Sequence, residues 1–171
     1  CRKIMEEVRK LPVKVFINNA GFGDCGSFLE TDLSKEVEMI HVNIRAMHFL
    51  MKQMLCQMEK QGEGSILNVA SSAGLLPAGP YMATYYATKS YVTSLTRAVA
   101  LELKEKKSNV YVGALCPGPV DTEFNKVANV EFAIPSITPT YCAAYAIRKM
   151  EKRKIVIVPT FISSETFRTR I

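Results

Sequence analysis

No run in this sequence reaches the roughly 18 consecutive apolar residues of a membrane-crossing helix, so no membrane partner is expected. The five cysteines, Cys1, Cys25, Cys56, Cys116 and Cys142, are odd in number and contain no Cys-x-x-Cys pair. That excludes a disulfide framework and predicts reduced, mostly buried thiols in a reducing compartment, the cytoplasm. The chain opens at Cys1 without a methionine, and the absence of a signal peptide therefore says nothing about a longer parent. His41, Arg45 and His48 share one helix face, but no carboxylate or cysteine accompanies them at ligand spacing, so no metal is expected. The net charge of +6 is moderate. Its densest cluster, Arg148-Lys149 with Lys152-Arg153-Lys154, carries no interleaved aromatics and reads as a solvated helix end, so no nucleic-acid partner is expected. Repeats, linkers and low-complexity tracts are absent. At 171 residues, 48% of them hydrophobic, the chain holds one domain with a core.

What is present alternates in kind. Short apolar runs separate long segments of helical period, the pattern of a parallel α/β sheet. Val13–Ile17 predicts a buried strand, followed by a glycine-rich loop, Gly21-Phe22-Gly23-Asp24-Cys25-Gly26. From Leu33 to about Glu59 the stripe Val37, Ile40, Ile44, Met47, Leu50, Met51, Met54 and Met58 predicts one long helix, stopped by Gly62-Glu63-Gly64. Ser65–Val69 reads as the next strand and Ser72–Pro80 as a loop. A second long helix is expected from about Met82 to Lys106, then a strand over Asn109–Leu115 ended by Pro117-Gly118-Pro119. Residues 123–137 read as irregular, Thr138-Pro139 as the start of a helix to about Lys152, and Ile155–Val158 as a last strand. In the irregular stretch, Phe124, Val127, Val130, Phe132 and Ile134 suggest a lid over a substrate with an apolar part.

The chemistry-bearing residues gather around Tyr85-Tyr86-Ala87-Thr88-Lys89. Residues four apart lie one above the other on a helix, which sets the Lys89 ammonium beside the Tyr85 phenol. A free phenol titrates near 10, poorly matched to proton transfer at neutrality, and a nearby cation is expected to lower it. Tyr86, three residues before Lys89, is a competitor on the same helix. A serine at a neighbouring strand end, Ser71 or Ser72, would hold the oxygen that exchanges the proton. Asn43 stands inside the first long helix, where asparagine has little intrinsic reason to be.

Five separated segments resemble the short-chain dehydrogenase/reductase family, in the family's order. They are Asn18-Asn19-Ala20-Gly21, Asn43 in His41-Val42-Asn43-Ile44, the run Ile66 to Gly74, the Tyr85/Lys89 pair, and Pro117-Gly118 to Thr122. The wording around Ser71-Ser72-Ala73-Gly74 and Tyr81-Met82-Ala83-Thr84-Tyr85 is most similar to bacterial ketoacyl and hydroxysteroid reductases. The resemblance implies a Rossmann-like doubly wound parallel sheet and NAD or NADP as cofactor. Family members begin with a glycine-rich strand-turn-helix that cradles the pyrophosphate. No Gly-x-x-x-Gly-x-Gly is present here, so residues 1–171 are expected to form a single partial domain without the first two βα units. The tail from Phe161 to Ile171 also departs from the family's usual end.

By the same resemblance, Tyr85 is the catalytic acid/base, Ser71 orients the carbonyl or alcohol, and Lys89 lowers the phenol pKa and binds the nicotinamide ribose. Asn43 kinks its helix and holds a water in a relay to Lys89. Asn18, Ala20, Gly21, Pro117, Gly118, Val120 and Thr122 would line the cofactor. The implied substrate is a small carbonyl or secondary alcohol, and the two long helices imply a homo-oligomer. The alternative is a catalytically silent fragment or interaction module that lacks the cofactor half. With the family's strand order, the Val13 strand would be left with an unpaired apolar edge.

Overall fold

The computed structural model describes residues 1–130 and 135–159. Four parallel strands lie side by side in chain order: β1 (Val15–Asn18), β2 (Gly64–Val69), β3 (Val110–Leu115) and β4 (Val156–Ile157). The register pairs Asn18 with Asn68, Asn68 with Ala114, and Leu115 with Ile157. The first strand begins two residues later than the apolar run suggested. The helices are α1 (Arg2–Val8), α2 (Leu33–Ile40), α3 (Met47–Gln61), α4 (Ala83–Glu105), α5 (Phe124–Val127) and α6 (Pro139–Glu151).

Side chains alternate across a strand, so β2 and β3 each supply two faces. Ile66, Val110, Val112 and Ala114 pack with Met47, Met51, Met54 and Met58 of α3 and with Val92 and Leu103 of α4. Leu67, Leu115 and Ile157 point the other way, onto Cys142 and Ala146 of α6. Helices on both faces of a parallel sheet make this an α/β, doubly wound architecture.

The ends of these helices follow local chemistry. Asp32 caps α2 by accepting from the Ser34 N–H at 2.9 Å, and Thr138 caps α6 by accepting from the Tyr141 N–H at 3.2 Å. Pro139 follows in the first turn, where its missing N–H is harmless. Helix α3 stops at Gly62, whose φ of 79° suits glycine. The single long helix expected from Leu33 to Glu59 is continuous in course but not in type. Residues His41–Ala46, between α2 and α3, form a π-helical segment, with Asn43 buried at its centre. The stretch expected to be irregular contains α5 and an isolated bridge between Val120 and Ile137. Phe132, Ile134 and the tail from Phe161 lie outside the described residues.

A polar network ties the strands to α4 inside the core. Asn18 Nδ2 donates to Asn68 Oδ1 at 2.8 Å, and Asn68 Nδ2 donates to Thr96 Oγ1 at 2.9 Å. No helix is long and apolar enough to cross a membrane among the described residues.

Strand β1 pairs only with β2 among the described strands, and Val15 and Ile17 on it are 54% and 49% exposed. An exposed apolar edge is a template for pairing with another chain. Size-exclusion chromatography of the 171-residue chain is expected to show association that rises with concentration. Ile17→Lys should return it toward monomer. A wild-type chain that stays monomeric at every concentration would count against this reading.

Candidate active site

A cleft of about 550 Å3 opens where β2 and β3 end, between the loops that follow them and the first turns of α4. Backbone pairing continues past the strands, with Ala70 N–H donating to Leu115 O at 2.8 Å and Ser72 N–H to Pro117 O at 2.7 Å. This holds Ser71 in extended backbone at the rim of the cleft, its hydroxyl accepting from the Ala73 N–H at 3.1 Å. A short 3-10 turn, Ser72–Leu75, then lies flat on α4. That approach requires glycine at position 74, because a Cβ there would stand 2.4 Å from the Lys89 carbonyl oxygen.

Tyr85 and Lys89 sit one helical turn apart on α4 and both are buried. The Ser71 hydroxyl lines the same cleft as the Tyr85 phenol and acts to lower the phenol pKa. Lys89 Nζ donates to Val69 O at 2.9 Å and lies 5.8 Å from the centre of the Tyr85 ring. Asn43 closes the arrangement from behind. Its Nδ2 donates to Phe22 O at 2.8 Å and to Thr88 Oγ1 at 3.1 Å, while its Oδ1 accepts from the Phe22 N–H at 3.1 Å. The π-helical turn thus aims an asparagine amide at both polar groups of one loop residue. Gly21, next in line, lies so close that a Cβ would come within 2.9 Å of Asn43 Oδ1 and 3.2 Å of Lys89 Nζ.

The electrostatics correct one expectation. Lys89 was expected to pull the phenol down, but burial dominates and pushes Tyr85 up to about 12, with Ser71 lowering it and Tyr86 raising it further. Burial also lowers Lys89 to about 8, partly opposed by Cys116. The phenol is therefore a proton donor across the neutral range, and the ammonium is the group that titrates near it. Their signs for stability are opposite in consequence. The raised phenol favours the fold below its ordinary value near 10, and that contribution is lost as pH rises toward about 12. The depressed ammonium burdens the fold below about 8, and that burden lifts as pH rises toward its ordinary value of 10.5.

Ser71, Tyr85, Lys89, Gly21, Pro117, Gly118, Val120 and Thr122 all line the cleft, while Asn43 adjoins it through Gly21 and Lys89. Asn18 and Ala20 do not line it. The Asn18 amide is committed to Asn68 inside the sheet, and Asn19 faces the cleft in its place. Both serines line the cleft; Ser71 is the one that lowers the Tyr85 pKa, whereas Ser72 opens the 3-10 turn. Tyr86 also lines the cleft, and the ring of Phe124 lies 5.4 Å from that of Tyr85.

Sequence reasoning missed Pro139, Cys142 and Ala143, which reach the cleft from α6. No spacing in the chain connects them to Tyr85. It also passed over the Gly-x-Gly-x-x-Gly spacing of Gly21, Gly23 and Gly26. That loop follows a strand but opens no helix, since α2 begins only at Leu33. Without a helix N-terminus behind them, these glycines serve close packing, Gly23 against Phe124 and Tyr85. Among the described residues, no group of three or more His, Cys, Asp or Glu is placed to hold a metal.

A serine, a tyrosine and a lysine line one cleft at the carboxyl ends of a parallel sheet, the usual ligand position of this architecture. Residues 1–131 match the family described as short chain dehydrogenase, and the chain belongs to that family. Dehydrogenase/reductase SDR family member 4 of Bos taurus is 32% identical over 90% of this chain and 53% of its own length. A short-chain dehydrogenase of Sphingobium yanoikuyae, solved with NADPH, shares its fold with TM-score 0.85 at 24% identity, covering 97% of this chain and 65% of that one. A family member of Burkholderia phymatum, solved with NAD, gives TM-score 0.76 at 26% identity over 86% of this chain and 61% of that one. The chain spans about half the length of the curated relatives it matches.

Proposed function

We propose that the protein is an NAD(P)-dependent oxidoreductase that interconverts a carbonyl and a secondary alcohol, with Tyr85 as acid/base. The observation that carries this reading is Tyr85 and Lys89, both buried and one helical turn apart, lining one cleft with Ser71. In reduction, Ser71 donates a hydrogen bond to the carbonyl oxygen, and Tyr85 transfers its proton to that oxygen as it becomes an alkoxide. A nicotinamide cofactor, when bound, supplies the hydride. Burial keeps the phenol protonated, which suits it to the donor role in this direction.

The residues present fit such a group. Lys89 uses one donor on Val69 O and retains N–H groups for ribose hydroxyls. Gly21 leaves the room beside Lys89 that a Cβ would fill. Pro117, Gly118, Val120 and Thr122 would hold the nicotinamide end from the opposite wall. Leu76, Met82, Tyr86 and Phe124 supply apolar surface for a substituent on the substrate carbonyl. The five cysteines are free, as reduced thiols in the cytoplasm would be, but only Cys116 and Cys142 are buried, fewer than the sequence suggested.

Titration calorimetry with NADH and with NADPH tests the reading, on this chain and on the same chain extended upstream. Binding by the extended protein is expected. No binding by either would overturn the oxidoreductase reading and leave an interaction module. In the active protein, the Lys89 ammonium is required, so the reduction rate is expected to fall as pH rises through about 8. Lys89→Arg, a cation that does not titrate in this range, should flatten that alkaline limb. A limb that persists in the variant would assign it to another group.

A further inference from the structure

At the far end of α4, about 28 Å along the helix from Tyr85 to Lys104 at 1.5 Å per residue, lies a second cavity of about 400 Å3. Its floor is apolar, made by Leu103, Val110 and Val112. Its rim is cationic, made by Lys104, Lys107 and Arg153. None of these three takes part in a salt bridge among the described residues.

Two of the cations stand where glycine is usual. Helix α4 ends with Lys107 N–H bonded to Lys104 O at 3.1 Å and Ser108 N–H to Leu103 O at 2.9 Å. Helix α6 ends the same way, with Arg153 N–H on Met150 O at 2.8 Å and Lys154 N–H on Lys149 O at 3.0 Å. Both closures place one residue in the left-handed region, Lys107 at φ 53° and Arg153 at φ 51°. A cation at a helix C-terminus is favoured by the dipole, which accounts for each charge singly but not for an apolar slot between them.

Arg153 is also fixed in place. Its Nη1 and Nη2 donate to Asn109 O and Val110 O at 3.0 Å each, and its guanidinium lies 5.8 Å from the centre of the Tyr111 ring. The amino-terminal part of β3, to which it bonds, has no ladder partner on that side among the described residues, since β4 pairs only with Ala114 and Leu115.

We propose that this slot binds an amphipathic organic anion, with the apolar body on Leu103, Val110 and Val112 and a single carboxylate-type head at Lys104, Lys107 and Arg153. The apolar floor selects a tail, and a rim whose cations form no salt bridge among the described residues selects the sign of the head. The site is separate from the cleft, and its occupancy does not depend on the proposed redox chemistry.

The test is calorimetry of the 171-residue chain with octanoate and with octylammonium, which share a tail and differ in the sign of the head. Octanoate is expected to bind at least about tenfold more tightly than octylammonium, and Lys104→Glu with Lys107→Glu to weaken it by at least about tenfold. Ala100→Phe, which fills the slot from α4, should weaken it likewise, while Tyr85→Phe should not. If circular dichroism shows that charge reversal unfolds the chain, Lys104→Gln with Lys107→Gln replaces it. Equal affinity for the two ligands would overturn the proposal. So would octanoate binding that survives the lysine changes, or binding that is lost with Tyr85→Phe.

Discussion

Tyr85→Phe is expected to lower the turnover of carbonyl reduction by about 10²–10⁴-fold, the range of a positioned general acid, with little change in substrate KM. The phenyl ring keeps the contacts with Phe124 and Tyr86, so the walls of the cleft remain. What disappears is the phenol hydroxyl, the group whose proton Ser71 and burial act upon. The loss therefore falls on proton transfer rather than on binding, and kcat should drop while KM holds. Tyr86→Phe provides the comparison, because both tyrosines line the cleft but only Tyr85 is buried with Lys89 at its ring. A full-strength Tyr85→Phe enzyme, together with an inactive Tyr86→Phe enzyme, would move the acid to Tyr86. A second readout needs no turnover. Spectroscopic titration of the wild type should show two phenols ionising near pH 12, Tyr85 and Tyr111, of which only one remains in Tyr85→Phe.

Asn68→Ala is expected to cost about 2–4 kcal/mol of stability, through a lost buried hydrogen-bond hub and the small cavity left behind. Asn68 is fully buried and joins Asn18 on the neighbouring strand to Thr96 on α4. Without it, Asn18 Nδ2 loses its acceptor in the interior, while Thr96 retains its bond to Val92 O. The asymmetry matters, because the orphaned amide bears most of the penalty. Urea unfolding followed by circular dichroism measures it. A midpoint within experimental error of the wild type would show that water or a relaxed Asn18 replaces the hub. Asn18→Ala orphans Asn68 Oδ1 in turn but keeps the Asn68–Thr96 bond, so it should cost less than loss of the whole hub.

The strands and long helices were legible because their signal is local. Apolar runs of four to six residues and the methionine stripe of α3 fall directly out of burial on a sheet. The π-helical segment was not legible, since Ile44 and Met47 also fit an α-helical stripe. Asn43 alone hinted at it, by standing where asparagine is out of place. At the site, spacing brought Tyr85 and Lys89 together correctly, but spacing carries no information about desolvation. The sign of the Tyr85 shift was therefore misjudged: a charge relation is visible in sequence, and the burial that outweighs it is not. Ser71 and Ser72 stayed undecided for a related reason. The choice depends on which hydroxyl the loop turns toward the phenol, and that is set by the 3-10 turn packed on α4 at Gly74, which local spacing does not reveal. Asn18 was assigned to the ligand because it ends a strand, whereas its amide is bound within the sheet.

The π segment is also a correction of phase. Met39, Asn43, Met47 and Met51 are all buried, at a constant interval of four residues. In an ordinary α-helix each such step overshoots a full turn by about 40°, and three steps would swing the last residue well off the face of the first. The wider π turn absorbs that drift, so one helix keeps Met39 over the cleft loops and Met51 over the sheet. Deleting a single residue from His41–Ala46 would leave each methionine chemically intact and turn one half of the helix by about 100° against the other. The site and the core are thus held in step by one surplus residue, whose value lies in the angle it adds.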